Sequence, residues 1–146
     1  MKHTDVRIPD ARTIQIWITL GKKHMKKILV IDDESVIRAL LRQLFERNGF
    51  LVIDAEDGRQ GLDLYREESP DLVVTDLIMP EEEGLTVIKE IKKMTPDAPI
   101  IAISGGGIGK ADVYLQLAKS MGAGRIFEKP FDAKAVLKAV QEMVAE

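Results

Sequence analysis

Cysteine is absent from the 146 residues, which excludes disulfide bonds, thiolate nucleophiles and cysteine-bound zinc. No apolar run approaches the roughly 20 residues that span a bilayer. A soluble, cytoplasmic protein without membrane association is therefore expected. Histidine is scarce, since His3 and His24 both lie near the N-terminus and none follows them. The chain is long enough for one compact domain, and 45% of its residues are hydrophobic.

Residues 1–25 differ in charge from the rest of the chain. They hold five Lys/Arg against two Asp/Glu, a balance of +3, whereas residues 26–146 hold 16 against 22, a balance of -6. Isoleucines at positions 14, 16 and 18 alternate with polar residues, which predicts a half-buried strand; the alternative is a mobile arm. Met25 begins a run typical of a natural start, so residues 1–25 are interpreted as an extension, native or vector-derived, and 26–146 as the domain.

From residue 27 onward, apolar runs alternate with helical patterns. The first run, residues 28–31, is wholly apolar, as expected of a strand covered on both faces. Further strands are predicted at 50–55, 72–76, 100–103 and 125–128. Five strand–helix pairs predict an α/β fold of the flavodoxin-like, doubly wound (βα)5 type, with a parallel sheet in the order 2-1-3-4-5.

The helices are predicted from apolar residues three and four positions apart. After the first strand the inward residues are Ile37, Leu40, Leu41 and Leu44, with Arg38 and Arg42 toward water, and Asn48-Gly49 ends the helix. A second helix is predicted over 58–67. Later helices place inward Val87, Ile88 and Ile91, then Tyr114, Leu117, Ala118 and Met121, then Val136, Ala139, Val140 and Met143 behind the N-cap Asp132.

Polar residues follow four of the five predicted strands. They are Asp32 and Asp33 after the first, Asp76 after the third, Ser104 after the fourth and Lys129 after the fifth. In a parallel sheet these positions share one edge, and the chain reverses between strands one and three, where a crevice opens. Alone, each residue has an ordinary structural role, such as a helix N-cap, a turn or a solvated charge. Their convergence favours a site.

Three carboxylates in one crevice require a cation or must take up protons. Two of them about 5 Å apart repel by about 3 kcal/mol at an effective dielectric near 20. Lys129 supplies one positive charge. A hard divalent ion with oxygen ligands suits the remainder, and Mg²⁺ fits better than a softer metal.

These residues resemble the receiver domain of two-component response regulators. The resemblance covers residues 26–146 and rests on Ile-Asp32-Asp33-Glu, Asp76-Leu-Ile-Met-Pro80 with Gly84, Ser104, and Lys129-Pro130-Phe131. It implies a stand-alone signalling protein, not an enzyme, in which Asp76 accepts a phosphoryl group from a sensor histidine kinase or a histidine phosphotransfer protein.

The resemblance also implies the roles of the other site residues. Asp33, Asp76 and the backbone carbonyl of Ile78 ligate Mg²⁺, for which Mn²⁺ substitutes, and Asp32 acts through metal-bound water. Ser104 and Lys129 contact the phosphoryl oxygens. Phosphorylation is expected to draw the Ser104 hydroxyl inward and to change the helix after strand four together with strand five.

The sequence departs from the family pattern at the switch. Ile126 stands where an aromatic residue is common, so the glycine-rich loop from Ser104 to Lys110 is expected to carry the signal. Ile78 and Gly106 offer no polar side chain to orient a hydrolytic water, which predicts slow loss of the phosphoryl group. The downstream target is expected to be a protein contacted by a monomer or weak dimer.

Single residues argue against two alternative functions. A phosphate-binding loop in Ser-Gly-Gly-Gly-Ile-Gly-Lys lacks Gly at Ser104 and a hydroxyl at Ala111. An aspartyl-phosphate hydrolase of the haloacid dehalogenase kind requires an acid/base Asp where Ile78 stands. A flavin binder and a phosphorelay intermediate stay open. Nucleic-acid binding is not expected, because the domain is acidic and no helix-turn-helix follows.

Overall fold

The computed structural model describes residues 10–79, 83–105 and 110–145. Within these ranges the strands are β1 (Lys27–Ile31), β2 (Leu51–Ala55), β3 (Leu72–Asp76), β4 (Ile100–Ser104) and β5 (Arg125–Glu128). The helices are α1 (Ala11–His24), α2 (Ser35–Arg47), α3 (Gly58–Glu68), α4 (Glu83–Met94), α5 (Lys110–Ser120) and α6 (Ala133–Val144).

The five strands form one parallel sheet in the order β2-β1-β3-β4-β5, which confirms the predicted topology. Strands β1, β3 and β4 are rich in Ile, Leu and Val, and almost all their side chains are buried. A strand of this composition is stable only when both faces are covered. The sequence therefore dictates helices on both sides.

The helices divide between the two faces of the sheet. Leu29 and Ile31 of β1 pack toward α3, α4 and α5, whereas Ile28 and Val30 pack toward α2 and α6. This alternation follows from the period of two along a strand. Each fully buried Leu or Ile contributes about 1.5–3 kcal/mol of hydrophobic stabilisation.

The strand predicted for the N-terminal segment is wrong, because residues 11–24 form the helix α1. The carboxylate of Asp10 accepts a 2.7 Å hydrogen bond from the Thr13 amide, and the Asp10 carbonyl accepts from the Ile14 amide. Asp10 therefore caps the helix, as aspartate commonly does. Ile14, Ile16 and Ile18 are each between a third and a half exposed. The proposed division at residues 25 and 26 stays a prediction.

Two helical faces also differ from prediction. Leu117, predicted to face inward on α5, is exposed, whereas Leu115 is buried; Ala118 is buried as predicted. Successive residues turn by about 100°, so a stripe centred on Ala118 leaves Leu117 off the sheet. Leu40 is exposed on α2 and Phe45 is buried. Arg38, expected in water, is half-buried and donates to the Asp32 carbonyl at 2.8 Å.

Candidate functional site

Two buried aspartates leave the sheet side by side. The register pairs Ile31 of β1 with Thr75 of β3, so the residues that follow them, Asp32 and Asp76, lie next to each other at the strand ends. Asp32 is 2% exposed and Asp76 is 3% exposed. One oxygen of each accepts a backbone amide two residues ahead: Glu34 to Asp32 at 2.8 Å and Ile78 to Asp76 at 3.2 Å.

Lys129 joins these two carboxylates from the end of β5. Its Nζ lies 2.9 Å from Asp32 Oδ2 and 3.2 Å from Asp76 Oδ2, and also 2.9 Å from Glu34 Oε1. Its own amide donates to the Ser104 carbonyl at 2.7 Å, which fixes the backbone beside β4. The sheet order thus brings together residues that are 53 and 97 positions apart.

The electrostatics leave the site short of positive charge. Burial raises the pKa of Asp76 to about 6, and the charge of Asp32 adds to the rise, while Lys129 and the Ile78 amide oppose it. Burial also raises the pKa of Asp32, against hydrogen bonds from Lys129 and the Glu34 amide. For Lys129, burial lowers the pKa, but its bonds to Asp32 and Glu34 and the charge of Asp76 raise it overall.

The acidic residues form a cluster suited to a hard cation. One carboxylate oxygen from each of Asp32, Asp33, Glu34 and Asp76 lies within 4.8 Å of the others. Among the described cations, Lys129 alone forms an ion pair with this cluster. Oxygen donors, excess negative charge and a cleft open to solvent are what Mg²⁺ requires. The residues present therefore fit a magnesium ion.

We define the acidic cleft by the residues that line it. They are Asp33, Glu34, Ile37, Asp76, Ile78, Gly105, Lys129 and Pro130. Asp33 is exposed and faces this opening, and the Ile78 side chain is 36% exposed beside it. Every carboxylate predicted for the site therefore lies in or against the cleft.

Ser104 lies at the end of β4 and is fully buried. Its Oγ has no hydrogen-bond partner among the described residues. A buried hydroxyl without a partner costs about 1–3 kcal/mol, so a group that bonds it would be favoured. Gly105 follows, and a Cβ there would approach Lys129 Cβ to 2.8 Å, so the lysine stem passes directly over this glycine.

Gly84 explains how α4 approaches the strand that carries Asp76. A Cβ at Gly84 would collide with the Asp76 carbonyl oxygen and the Leu77 Cα. Only glycine allows this backbone contact.

Residues 106–109 of the glycine-rich loop lie outside the described residues, so the expectation for Gly106 stays a prediction. Ile126 is half-buried and packs against the core of the α3–α5 face.

Glu34 and Arg38 were not predicted as site residues. Glu34 follows two aspartates at a helix start, a place where acidic residues are common for capping alone. Its contact with Lys129 spans 95 positions and leaves no local pattern. Arg38 was assigned to the solvent face of α2 by periodicity, and its contact with Asp32 is to the backbone.

Comparison with known proteins identifies the family. The model of the response regulator receiver domain matches residues 28–141. The chain is 38% identical over 117 residues to the chemotaxis protein CheY of Bacillus subtilis, covering 80% of this chain and 95% of that protein. It is 34% identical to sporulation initiation phosphotransferase F of the same organism, covering 80% and 92%.

Solved structures agree with this assignment. A response regulator receiver domain protein from Clostridium thermocellum superposes with a TM-score of 0.76 at 34% identity, covering 83% of this chain and 95% of that one. The receiver domain of NtrX from Brucella abortus gives 0.74 at 30% identity, covering 81% and 98%. The chain belongs to the response regulator receiver domain family of two-component systems. Receiver domains are signalling phosphoacceptors and are generally not classed as enzymes.

None of the helices in the described ranges has the length and apolarity needed to cross a membrane.

Proposed function

We propose that Asp76 accepts a phosphoryl group from a phosphohistidine on a sensor histidine kinase or a histidine phosphotransfer protein. One observation carries the proposal: Asp32 and Asp76, from separate strands, converge on the ammonium of Lys129 in a cleft open to solvent. Family membership supports the same role.

The chemistry is a direct transfer. An oxygen of the Asp76 carboxylate forms a bond to phosphorus, the P–N bond to histidine breaks, and its electron pair returns to the imidazole. With a pKa of about 6, Asp76 is mostly ionised at neutral pH and ready to attack. Phosphoryl transfer depends on positioning and charge neutralisation, so no general base is needed.

The remaining residues neutralise and position the transferred group. Asp33, Asp76 and the Ile78 carbonyl are proposed to ligate Mg²⁺, with Asp32 acting through water, and the ion supplies charge neutralisation at the phosphoryl oxygens. On phosphorylation, the Lys129 ammonium replaces a bond to a carboxylate oxygen with one to a phosphoryl oxygen. The Ser104 hydroxyl, which has no partner in the described part of the chain, donates a hydrogen bond to another phosphoryl oxygen, and this moves the start of the following loop.

This movement is proposed to signal to a protein partner. Ser104 precedes α5 in the chain, and on this helix Val113 and Leu117 are exposed. Strand β5 pairs with β4 and contacts α5. Ile126 replaces the usual aromatic switch, so the loop rather than an aromatic rotamer is proposed to carry the change. Ile78 brings only an apolar side chain to the cleft, so the phosphoryl group is expected to persist; a half-life of seconds would contradict this.

The test uses small-molecule donors. The protein is incubated with Mg²⁺ and acetyl phosphate or phosphoramidate, whose P–N bond mimics phosphohistidine, and weighed intact. A gain of about 80 Da, one phosphoryl group, is expected for wild type and for Asp97→Asn, which removes an exposed carboxylate outside the cleft. Asp76→Asn should gain nothing. An equal gain in Asp76→Asn would refute the proposal.

A phosphorelay intermediate is a second candidate function. One relative at 34% identity is called a phosphotransferase, which means that it passes its phosphoryl group on. Transfer from the phosphorylated chain to a purified histidine phosphotransfer domain, followed by mass, would support this role. Retention of the label on this chain throughout would exclude it for that acceptor.

A further inference from the structure

Lys129 has one carboxylate partner that the mechanism above does not use. Glu34 Oε1 lies 2.9 Å from its Nζ, as near as Asp32 and nearer than Asp76. The Asp32 and Asp76 side chains are each 3% exposed, whereas that of Glu34 is 57% exposed. Glu34 therefore holds the ammonium from the solvent side of the cleft.

The Glu34 side chain is diverted from its local role. Glu34 occupies the N-cap position of α2, where a polar side chain commonly accepts an amide of the first turn, yet it makes no capping hydrogen bond. Its backbone amide is turned toward Asp32 instead. The side chain and amide of Glu34 thus serve the cleft, while its carbonyl accepts the Arg38 amide at 3.1 Å and begins the helix.

An ammonium group has three protons to donate, and Lys129 has three carboxylates around it. A phosphoryl oxygen arriving on Asp76 must displace at least one of them. Asp76 carries the phosphoryl group and Asp32 is buried beside it. Glu34 is the third partner, and it can keep its bond to Lys129 after Asp76 is phosphorylated.

We propose that Glu34 is a positioning residue that competes with the phosphoryl group on Asp76 for the Lys129 ammonium. In the resting protein it draws the lysine toward the cleft mouth, and it lowers the affinity of the site for a phosphoryl group. This inference rests on the proposed function of Asp76.

The test compares Glu34→Gln with a matched control, Glu128→Gln. Glu128 is exposed, immediately precedes Lys129 and forms no described ion pair with it, so the control removes the same charge nearby. Beryllofluoride, a phosphoryl analogue, is titrated with Mg²⁺ by calorimetry. Glu34→Gln should bind it about two- to fivefold more tightly, the range expected for losing one half-exposed ion pair. Glu128→Gln should match wild type.

A spectroscopic measurement isolates the lysine itself. In the metal-free protein with ¹⁵N-labelled lysine, the Lys129 Nζ resonance should shift in Glu34→Gln and stay unchanged in Glu128→Gln. A purely structural role of Glu34 would not move this resonance selectively.

Several results would overturn the proposal. Weaker beryllofluoride binding in Glu34→Gln would mean that Glu34 favours binding of the phosphoryl group. An equal gain in affinity in Glu34→Gln and Glu128→Gln would mean that net charge alone causes the effect. If the Lys129 Nζ resonance does not shift in Glu34→Gln, the contact between Glu34 and Lys129 is absent in solution. If wild type binds no beryllofluoride, the proposed function fails; if wild type binds and Glu34→Gln binds no better, only the role of Glu34 fails.

Discussion

Replacing Asp76 by asparagine is expected to stabilise the protein in the absence of divalent metal. The Asp76 carboxylate is buried beside Asp32, and its pKa rises from 3.8 to about 6. Each pKa unit corresponds to about 1.36 kcal/mol, so holding the charge in the folded state costs about 3 kcal/mol at neutral pH. Asparagine has nearly the same shape and carries no charge.

The effect depends on pH in one direction. Below pH 3.8 the carboxyl is protonated in both the folded and unfolded states, and the charge penalty is absent. Between pH 3.8 and about 6 the unfolded chain has lost this proton while the folded protein still holds it, so stability falls as the pH rises through this window and levels off above about 6. The difference between Asp76→Asn and wild type should therefore grow from small near pH 4 to about 3 kcal/mol near pH 8.

The assay is urea unfolding with a chelator across this pH range. Glu67→Gln, which neutralises an exposed carboxylate on α3, serves as the control and should follow wild type. Saturating Mg²⁺ should reduce the advantage of Asp76→Asn, because a cation offsets the same repulsion. A gain of equal size at pH 4 and pH 8, or no gain at pH 8, would refute the reasoning.

Three further predictions test the site and its support. Mg²⁺ should raise the midpoint of thermal unfolding and a chelator should reverse this, because the ion binds only the folded cluster; Asp33→Asn should lose most of the rise, and an undiminished rise would contradict its role as a ligand. Ser104→Ala should leave the free energy of unfolding unchanged or raise it by up to about 1 kcal/mol, because the lost hydroxyl has no described partner; a clear loss in urea unfolding would reveal one. Gly84→Ala should lower the free energy of unfolding by at least about 1–3 kcal/mol, because its Cβ would strike the backbone of Asp76 and Leu77; an unchanged urea midpoint would argue against the close contact.

The sheet and the buried part of the site were predictable from local patterns. Apolar runs that end in Asp32, Asp76 and Ser104 mark parallel strands, and the strand order places those ends at one crevice. The N-cap Asp132 was also predicted and accepts the Lys134 amide at 3.0 Å. These features depend on period and position, which a single sequence records.

The errors come from patterns that fit two structures. In α1 the isoleucines alternate as in a strand, but Arg12, Gln15, Thr19 and Lys22 recur every three or four residues, as in a helix. The cap formed by Asp10 decides for the helix. Glu34 was missed for a different reason: its partner Lys129 is distant in the chain, and their contact depends on packing that no local pattern encodes.

The hydrogen bond between the Lys129 amide and the Ser104 carbonyl couples the backbones of two residues whose side chains are proposed to bind phosphoryl oxygens. The stem of the lysine also rests on Gly105, directly after the serine. A displacement of the β4 terminus is thus felt at the tip of β5 through the main chain alone. If the proposed switch operates through these strands, relaying motion between them would not require an aromatic ring at position 126, where this chain has Ile126.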